Sequence, residues 1–78
     1  MQLQHSHTID ELFQQLGLEH TDEAIEAFIE SHKLKRDDGE LYDAPFWSSS
    51  QAKFLEEAKA YDADWAEPVD ELDARLRS

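Results

Sequence analysis

The most informative absence in this 78-residue sequence is cysteine, of which there is none. Without thiols the chain cannot form a disulfide, hold an iron–sulfur cluster, build a thiolate zinc site or use a cysteine nucleophile. Small secreted domains usually depend on disulfides for stability. The lack of cysteine therefore favours a reducing compartment, and we expect a cytoplasmic protein.

Glycine and long apolar runs are also scarce. The two glycines, Gly17 and Gly39, stand apart in the sequence, which excludes a glycine-rich phosphate-binding loop. No apolar run approaches the ~20 residues that a membrane-spanning helix needs. The first residues also lack the basic and apolar blocks of a signal peptide. We therefore expect no association with a membrane.

Basic residues are few, with seven Lys and Arg against nineteen Asp and Glu, and the formal net charge is −12. Because nucleic-acid binding draws most of its affinity from Lys and Arg at phosphates, we expect no direct binding to DNA or RNA. One interpretation of the acidity is that it keeps a small domain soluble. The other is an acidic surface for a basic partner, including mimicry of a nucleic acid.

What the sequence does contain is helical periodicity with clear start signals. Capping boxes at Thr8 and at Ser48 predict helices that run to about Gly17 and about Tyr61. Thr21 is a good N-cap for a helix that ends near Lys33. A fourth apolar stripe, with a start near either Asp64 or Pro68, consists of Trp65, Val69, Leu72 and Leu76.

The stretch between the second and third helices, residues 34–47, is the least regular. Asp37-Asp38-Gly39 is a turn signal, so a minimal hairpin flanked by Leu34 and Leu41 is one alternative, and whether the stretch is ordered stays open. The predicted fold is all-α: a small bundle of about four short helices with a long irregular connection between helices 2 and 3. We assign residues 1–7 to a flexible tail and residues 8–78 to a single helical domain.

No constellation of catalytic residues emerges from the sequence. His5 and His7 supply two imidazoles, too few for a structural zinc site. His32 lies on an apolar stripe without a nucleophile partner, and the serines from Ser48 are explained by helix capping. We therefore predict a protein that is not an enzyme and that has no cofactor or metal.

Four aromatic residues form the candidate interaction surface: Tyr42, Phe46, Trp47 and Tyr61. Aromatic side chains anchor protein interfaces, and Pro45 stiffens the segment that presents three of them. The alternative is that Phe46 and Trp47 close the end of the bundle as core residues, because aromatics supply much of a small core. In that case Tyr42 and Tyr61 are the surface residues.

The sequence also carries a resemblance, which covers it from about Thr8 to Arg77. Its specific parts are Asp43-Ala44-Pro45-Phe46-Trp47 and Asp62-Ala63-Asp64-Trp65-Ala66-Glu67. With these stretches the chain resembles a family of small uncharacterised proteins of Gram-negative bacteria, a domain of unknown function. The resemblance implies a cytoplasmic bacterial protein and transfers no catalytic residue.

The functional expectation is accordingly general. We expect a non-enzymatic, acidic protein-interaction module that acts as a homodimer or as an accessory subunit of a protein partner. The alternatives are an anionic mimic of nucleic acid that binds a basic partner, and a binder of a small ligand or metal.

Overall fold

The computed structural model describes residues 8–35, 37–61 and 63–78, and the predicted flexible tail, residues 1–7, lies outside the described residues. The predicted all-α fold is confirmed. The elements in chain order are α1 (Ile9–Gln15), α2 (Asp22–Ser31), a short 3₁₀ helix (Leu41–Asp43), α3 (Ser49–Tyr61) and α4 (Ala63–Leu76). The described residues contain no strand, so the alternative of a minimal hairpin between helices 2 and 3 is wrong. A 3₁₀ helix lies in that stretch instead.

Two helices begin at the capping boxes that the sequence predicts. At α1, the Thr8 hydroxyl accepts a hydrogen bond from the Glu11 amide, and the Glu11 carboxylate accepts one from the Thr8 amide at 3.1 Å. At α3, Ser48 and Gln51 make the same reciprocal pair, at 2.9 and 3.1 Å. Each box satisfies backbone donors that have no partner inside the helix.

Helix α2 ends at Ser31, two residues before the predicted end near Lys33. The Ser31 hydroxyl donates to the Phe28 carbonyl at 3.2 Å, and the His32 ring contacts that carbonyl through Nδ1 at 2.8 Å. The Leu34 amide donates to the Leu76 carbonyl of α4 at 2.8 Å. A long-range partner therefore replaces the intrahelical bond that would have extended α2.

The sequence left the start of the last helix open between Asp64 and Pro68, and the structure places it at Ala63. Pro68 is therefore an interior residue of α4. A proline there donates no backbone hydrogen bond, which is costly in an isolated helix. Its ring is fully buried, and this apolar burial offsets part of the cost.

Helix α4 is the centre of the bundle because it packs against α1, α2 and α3, while the 3₁₀ helix packs against α3. The core residues are apolar and come from every element. They are Leu12, Phe13, Leu16, Ile25, Ile29, Leu41, Ala44, Trp47, Leu55, Ala58, Trp65, Val69, Leu72 and Leu76. The Gln51 side-chain amide also donates to the Leu16 carbonyl at 2.8 Å, which ties α3 to the end of α1.

The long connection is held in place from the end of α4. The Arg77 guanidinium donates to the carbonyls of Lys35, at 3.0 Å, and of Gly39, and it also pairs with Asp73. Charged hydrogen bonds of this kind are stronger than neutral ones. The connection is thereby fixed beside α4, and the 3₁₀ helix that follows is presented to α3.

Candidate functional site

A groove lies along one side of α3, between that helix and the 3₁₀ helix. Its volume is about 880 Å³, and it is open to solvent. We call it the tyrosine groove, because it contains both tyrosines of the chain. The lining residues are Glu40, Tyr42, Asp43, Ser49, Ala52, Lys53, Glu56, Glu57, Lys59, Ala60 and Tyr61.

The two tyrosines reach the groove from different elements. Tyr42 belongs to the 3₁₀ helix and is half-buried, with its ring against the core. Tyr61 is the last residue of α3, and 86% of its surface is exposed. Among the described residues, it is the large hydrophobic side chain that is exposed to solvent. The structure therefore brings together two of the four predicted surface residues.

The walls of the groove carry more carboxylates than ammonium groups. Glu40 and Lys59 form an ion pair across it at 2.9 Å, which links the 3₁₀ segment to α3. Within the part of the chain that the structure describes, the carboxylates of Asp43, Glu56 and Glu57 have no ion-pair partner. The groove therefore has a surplus of negative charge.

Two titratable groups respond to this electrostatic environment. Partial burial, followed by the nearby carboxylates of Glu40, Glu56 and Asp43, raises the pKa of the Tyr42 phenol above its ordinary value of 10.0. The hydrogen bond to Glu40 raises the pKa of the Lys59 ammonium above its ordinary value of 10.5, against the opposing effect of desolvation. Both shifts favour the form with less negative charge.

Phe46 and Trp47 lie elsewhere, in an aromatic cluster against α2. Trp47 is buried, its Nε1 donates to the Leu41 carbonyl at 2.9 Å, and its ring stacks on Phe28 with centroids 5.6 Å apart. Phe46 is half-buried and makes T-shaped contacts with Phe28 and His32, with ring centroids 5.9 and 4.8 Å apart. The structure thus places this pair in the packing position that the sequence offered as the alternative.

The acidic lining of the groove was not among the residues chosen from the sequence. Glu56 and Glu57 are neighbours in α3, and adjacent helical residues do not face each other. The tertiary fold sets both beside the groove and brings Glu40 and Asp43 to it from the preceding segment. Periodicity alone carries no signal for this, since the acids belong to two separate elements.

Other kinds of site are not evident in the described residues. Within residues 8–35, 37–61 and 63–78, no three His, Asp or Glu side chains are grouped so that they could hold a metal ion. His5 and His7 lie outside the described residues. His32 stacks on Phe28 with ring centroids 3.9 Å apart. Each helix that the structure describes is too short or too polar to cross a bilayer.

Among known families, the model described as protein of unknown function, DUF2789, matches residues 1–76. The chain belongs to this family. The membership confirms the resemblance to a family of unknown function. The matched residues include both aromatic stretches on which that resemblance was based. The searches of curated proteins and of solved structures each gave no match.

Proposed function

We propose that the protein is a non-enzymatic interaction module that binds a protein partner through the tyrosine groove. The observation that carries the proposal is the exposure of Tyr61, an aromatic side chain presented to solvent at 86% on the rim of a groove. Tyrosine is enriched among the residues that dominate binding energy at interfaces. Its ring gives a large contact area at a low cost in side-chain entropy.

The form of the groove favours a segment of protein as its ligand. Sites for small molecules enclose most of the ligand surface, whereas this groove is open to solvent. The lining contains one serine, Ser49, and no histidine is among the described residues that line the groove. A nucleophile in an enzyme needs an adjacent base, so the described lining supports binding better than catalysis.

The proposal is tested by affinity capture from a lysate of the encoding organism, with tagged wild type and two variants. Tyr61→Ser removes the exposed ring, while Tyr61→Phe keeps the ring and is the matched control. We expect a recurrent partner to be captured by wild type and by Tyr61→Phe, and to be lost with Tyr61→Ser. Circular dichroism should show unchanged helicity, because Tyr61 contributes little to the core.

Two outcomes would contradict the proposal. The first is equal capture of the same partner by Tyr61→Ser, which would place the interface on another face. The second is the absence of any recurrent partner together with a monomer in sedimentation. Sedimentation also distinguishes a homodimer from an accessory subunit. The molecular mass measured for the isolated protein would be twice that of the monomer for a homodimer and equal to it for an accessory subunit.

A second candidate function is mimicry of a nucleic acid, which the net charge of −12 favours. A protein with this charge attracts the basic surfaces that otherwise bind phosphates. Capture of such a partner should be reversed by competing DNA and by raised salt, since salt screens exposed charges. Capture that DNA does not affect would count against this candidate.

A further inference from the structure

The charges that line the tyrosine groove indicate the chemistry of its occupant. The lining holds four carboxylates against two ammonium groups, and one ammonium, that of Lys59, is already paired with Glu40. Glu56, Glu57 and Asp43 have no cationic partner among the described residues. A cationic ligand would gain several attractive contacts there, whereas an anionic ligand would be repelled.

Lys59 shows how the groove holds a cation. Its Nζ donates to the Glu40 carboxylate at 2.9 Å, and its pKa is raised chiefly by that hydrogen bond. The Tyr42 phenol lies in the same groove, and its pKa is raised first by partial burial and then by the carboxylates of Glu40, Glu56 and Asp43, so its anionic form is disfavoured. The carboxylates of the lining come from both sides of the groove, Glu40 and Asp43 at the 3₁₀ helix and Glu56 and Glu57 on α3.

The aromatic rings add a second means of recognition. A guanidinium or ammonium over the face of a tyrosine ring is attracted electrostatically by the negative face of the ring, at exposed sites as well as buried ones. Tyr61 offers such a face without competition from the core, because most of its surface is in solvent. The carboxylates of Glu56 and Glu57 lie in the same lining and could hold the same cation.

The length of the groove sets the size of the ligand. It runs along α3 from Ser49 to Ala60. At a rise of 1.5 Å per residue, this distance is about 16 Å. An extended peptide covers about 3.3 Å per residue, so about five extended residues would fill the groove.

Resting on the proposed function, we propose that the tyrosine groove binds a short, extended, basic segment of the partner protein, with an Arg or Lys side chain between the Tyr61 ring and the Glu56 and Glu57 carboxylates. The remaining basic side chains of the segment lie toward Asp43. The partner is thus recognised by positive charge combined with aromatic contact.

The test uses fluorescein-labelled peptides of defined charge and measures binding by fluorescence anisotropy at low salt. The probes are Arg-Ala-Arg-Ala-Arg, the neutral Gln-Ala-Gln-Ala-Gln and the acidic Glu-Ala-Glu-Ala-Glu. We expect the arginine peptide to bind, the acidic peptide not to bind, and added salt to weaken binding. Such salt dependence follows from the screening of exposed charges.

Matched variants separate the groove from the general acidity of the protein. Glu56→Gln/Glu57→Gln removes two charges inside the groove, and Glu19→Gln/Glu26→Gln removes two exposed charges outside it. We expect the groove variant to bind the arginine peptide about tenfold more weakly, the effect of losing two good exposed ion pairs. The outside variant should change the affinity less than about twofold, and Tyr61→Ser should weaken binding as well.

Several results would overturn the inference. Equal weakening by the two charge variants would mean that the peptide senses only net charge. Preference for the neutral or acidic peptide, lost in Tyr61→Ser, would keep the groove as an interaction site while refuting a basic ligand. No binding of any peptide would refute the basic segment, and the capture experiment would still decide the proposed function. A self-associated protein that Glu56→Gln/Glu57→Gln dissociates would make a second copy the occupant.

Discussion

Trp47 gives the sharpest test of how the bundle is held together, because it separates a core role from an interface role. Only 8% of its surface is exposed, its ring stacks on Phe28, and its Nε1 donates to the Leu41 carbonyl. Because these contacts are lost when the indole is removed, we expect the replacement of Trp47 to lower the free energy of unfolding. Replacing Tyr61, which stands in solvent, leaves that free energy almost unchanged.

The expected magnitudes follow from what each substitution removes. Trp47→Ala deletes a buried indole, and such truncations cost about 3–5 kcal/mol. Trp47→Phe keeps an aromatic ring but removes the donor to Leu41, for which we expect a loss of about 1–2 kcal/mol. A domain of this length has a total stability of roughly 4–12 kcal/mol, so Trp47→Ala removes a large part of it. Tyr61→Ala should change it by less than about 0.5 kcal/mol.

The measurement is urea unfolding followed by circular dichroism, which avoids the fluorescence of Trp65. With a slope near 1 kcal/mol per molar urea, Trp47→Ala should lower the midpoint by about 3–5 M or leave the chain unfolded without urea. Tyr61→Ala is the control. A loss below about 1 kcal/mol in Trp47→Ala would refute the core assignment, and it would return Trp47 to the candidate interaction surface.

Three further predictions concern the connection, the groove and a helix end. Arg77→Ala should lower the free energy of unfolding by about 1–3 kcal/mol and speed amide hydrogen exchange near Lys35 and Gly39. Unchanged exchange rates in the variant would contradict the anchoring role of Arg77. The pKa of Tyr42 is raised in the folded state, so the contribution of its phenol to stability is complete below pH 10.0 and is lost as the pH rises through the raised pKa. Tyr42→Phe should remove this alkaline loss of stability when unfolding is measured as a function of pH. If the loss persists in the variant, another group causes it. Gly17→Ala should lower stability by about 1 kcal/mol in thermal unfolding, because Gly17 has a positive φ of 74° that alanine adopts at a cost. The added methyl group would meet open space, so the cost comes from the backbone alone. An unchanged melting temperature would show that the left-handed turn is not required.

The sequence was sufficient wherever the interactions that decide structure are local. The starts of α1 and α3 depend on side chains three residues apart, Thr8 with Glu11 and Ser48 with Gln51, so both were predicted correctly. The turn after α1 needs a positive φ, which Gly17 adopts readily. The all-α class follows from apolar stripes that must be buried on one another.

Features that depend on distant parts of the chain were not predicted. The end of α2 was misplaced because the Leu34 amide finds its acceptor at Leu76, more than forty residues away. The start of α4 stayed open because local rules place a proline in the first turn, and only burial in the core accounts for Pro68 in the helix interior.

The candidate site divides along the same line. Aromatic composition singled out four residues. The sequence offered a core position for Phe46 and Trp47 as the alternative, but it could not decide that Trp47 is buried while Tyr61 is exposed. The acidic groove arises because packing of the 3₁₀ helix on α3 brings Glu40 beside Lys59, nineteen residues later, and sets the other carboxylates of the lining around them. The sequence by itself determined the helices and the charge, since these are set by neighbouring residues and by composition. The tertiary structure alone decided which aromatics face solvent and which acids share a surface, because both depend on how the helices pack.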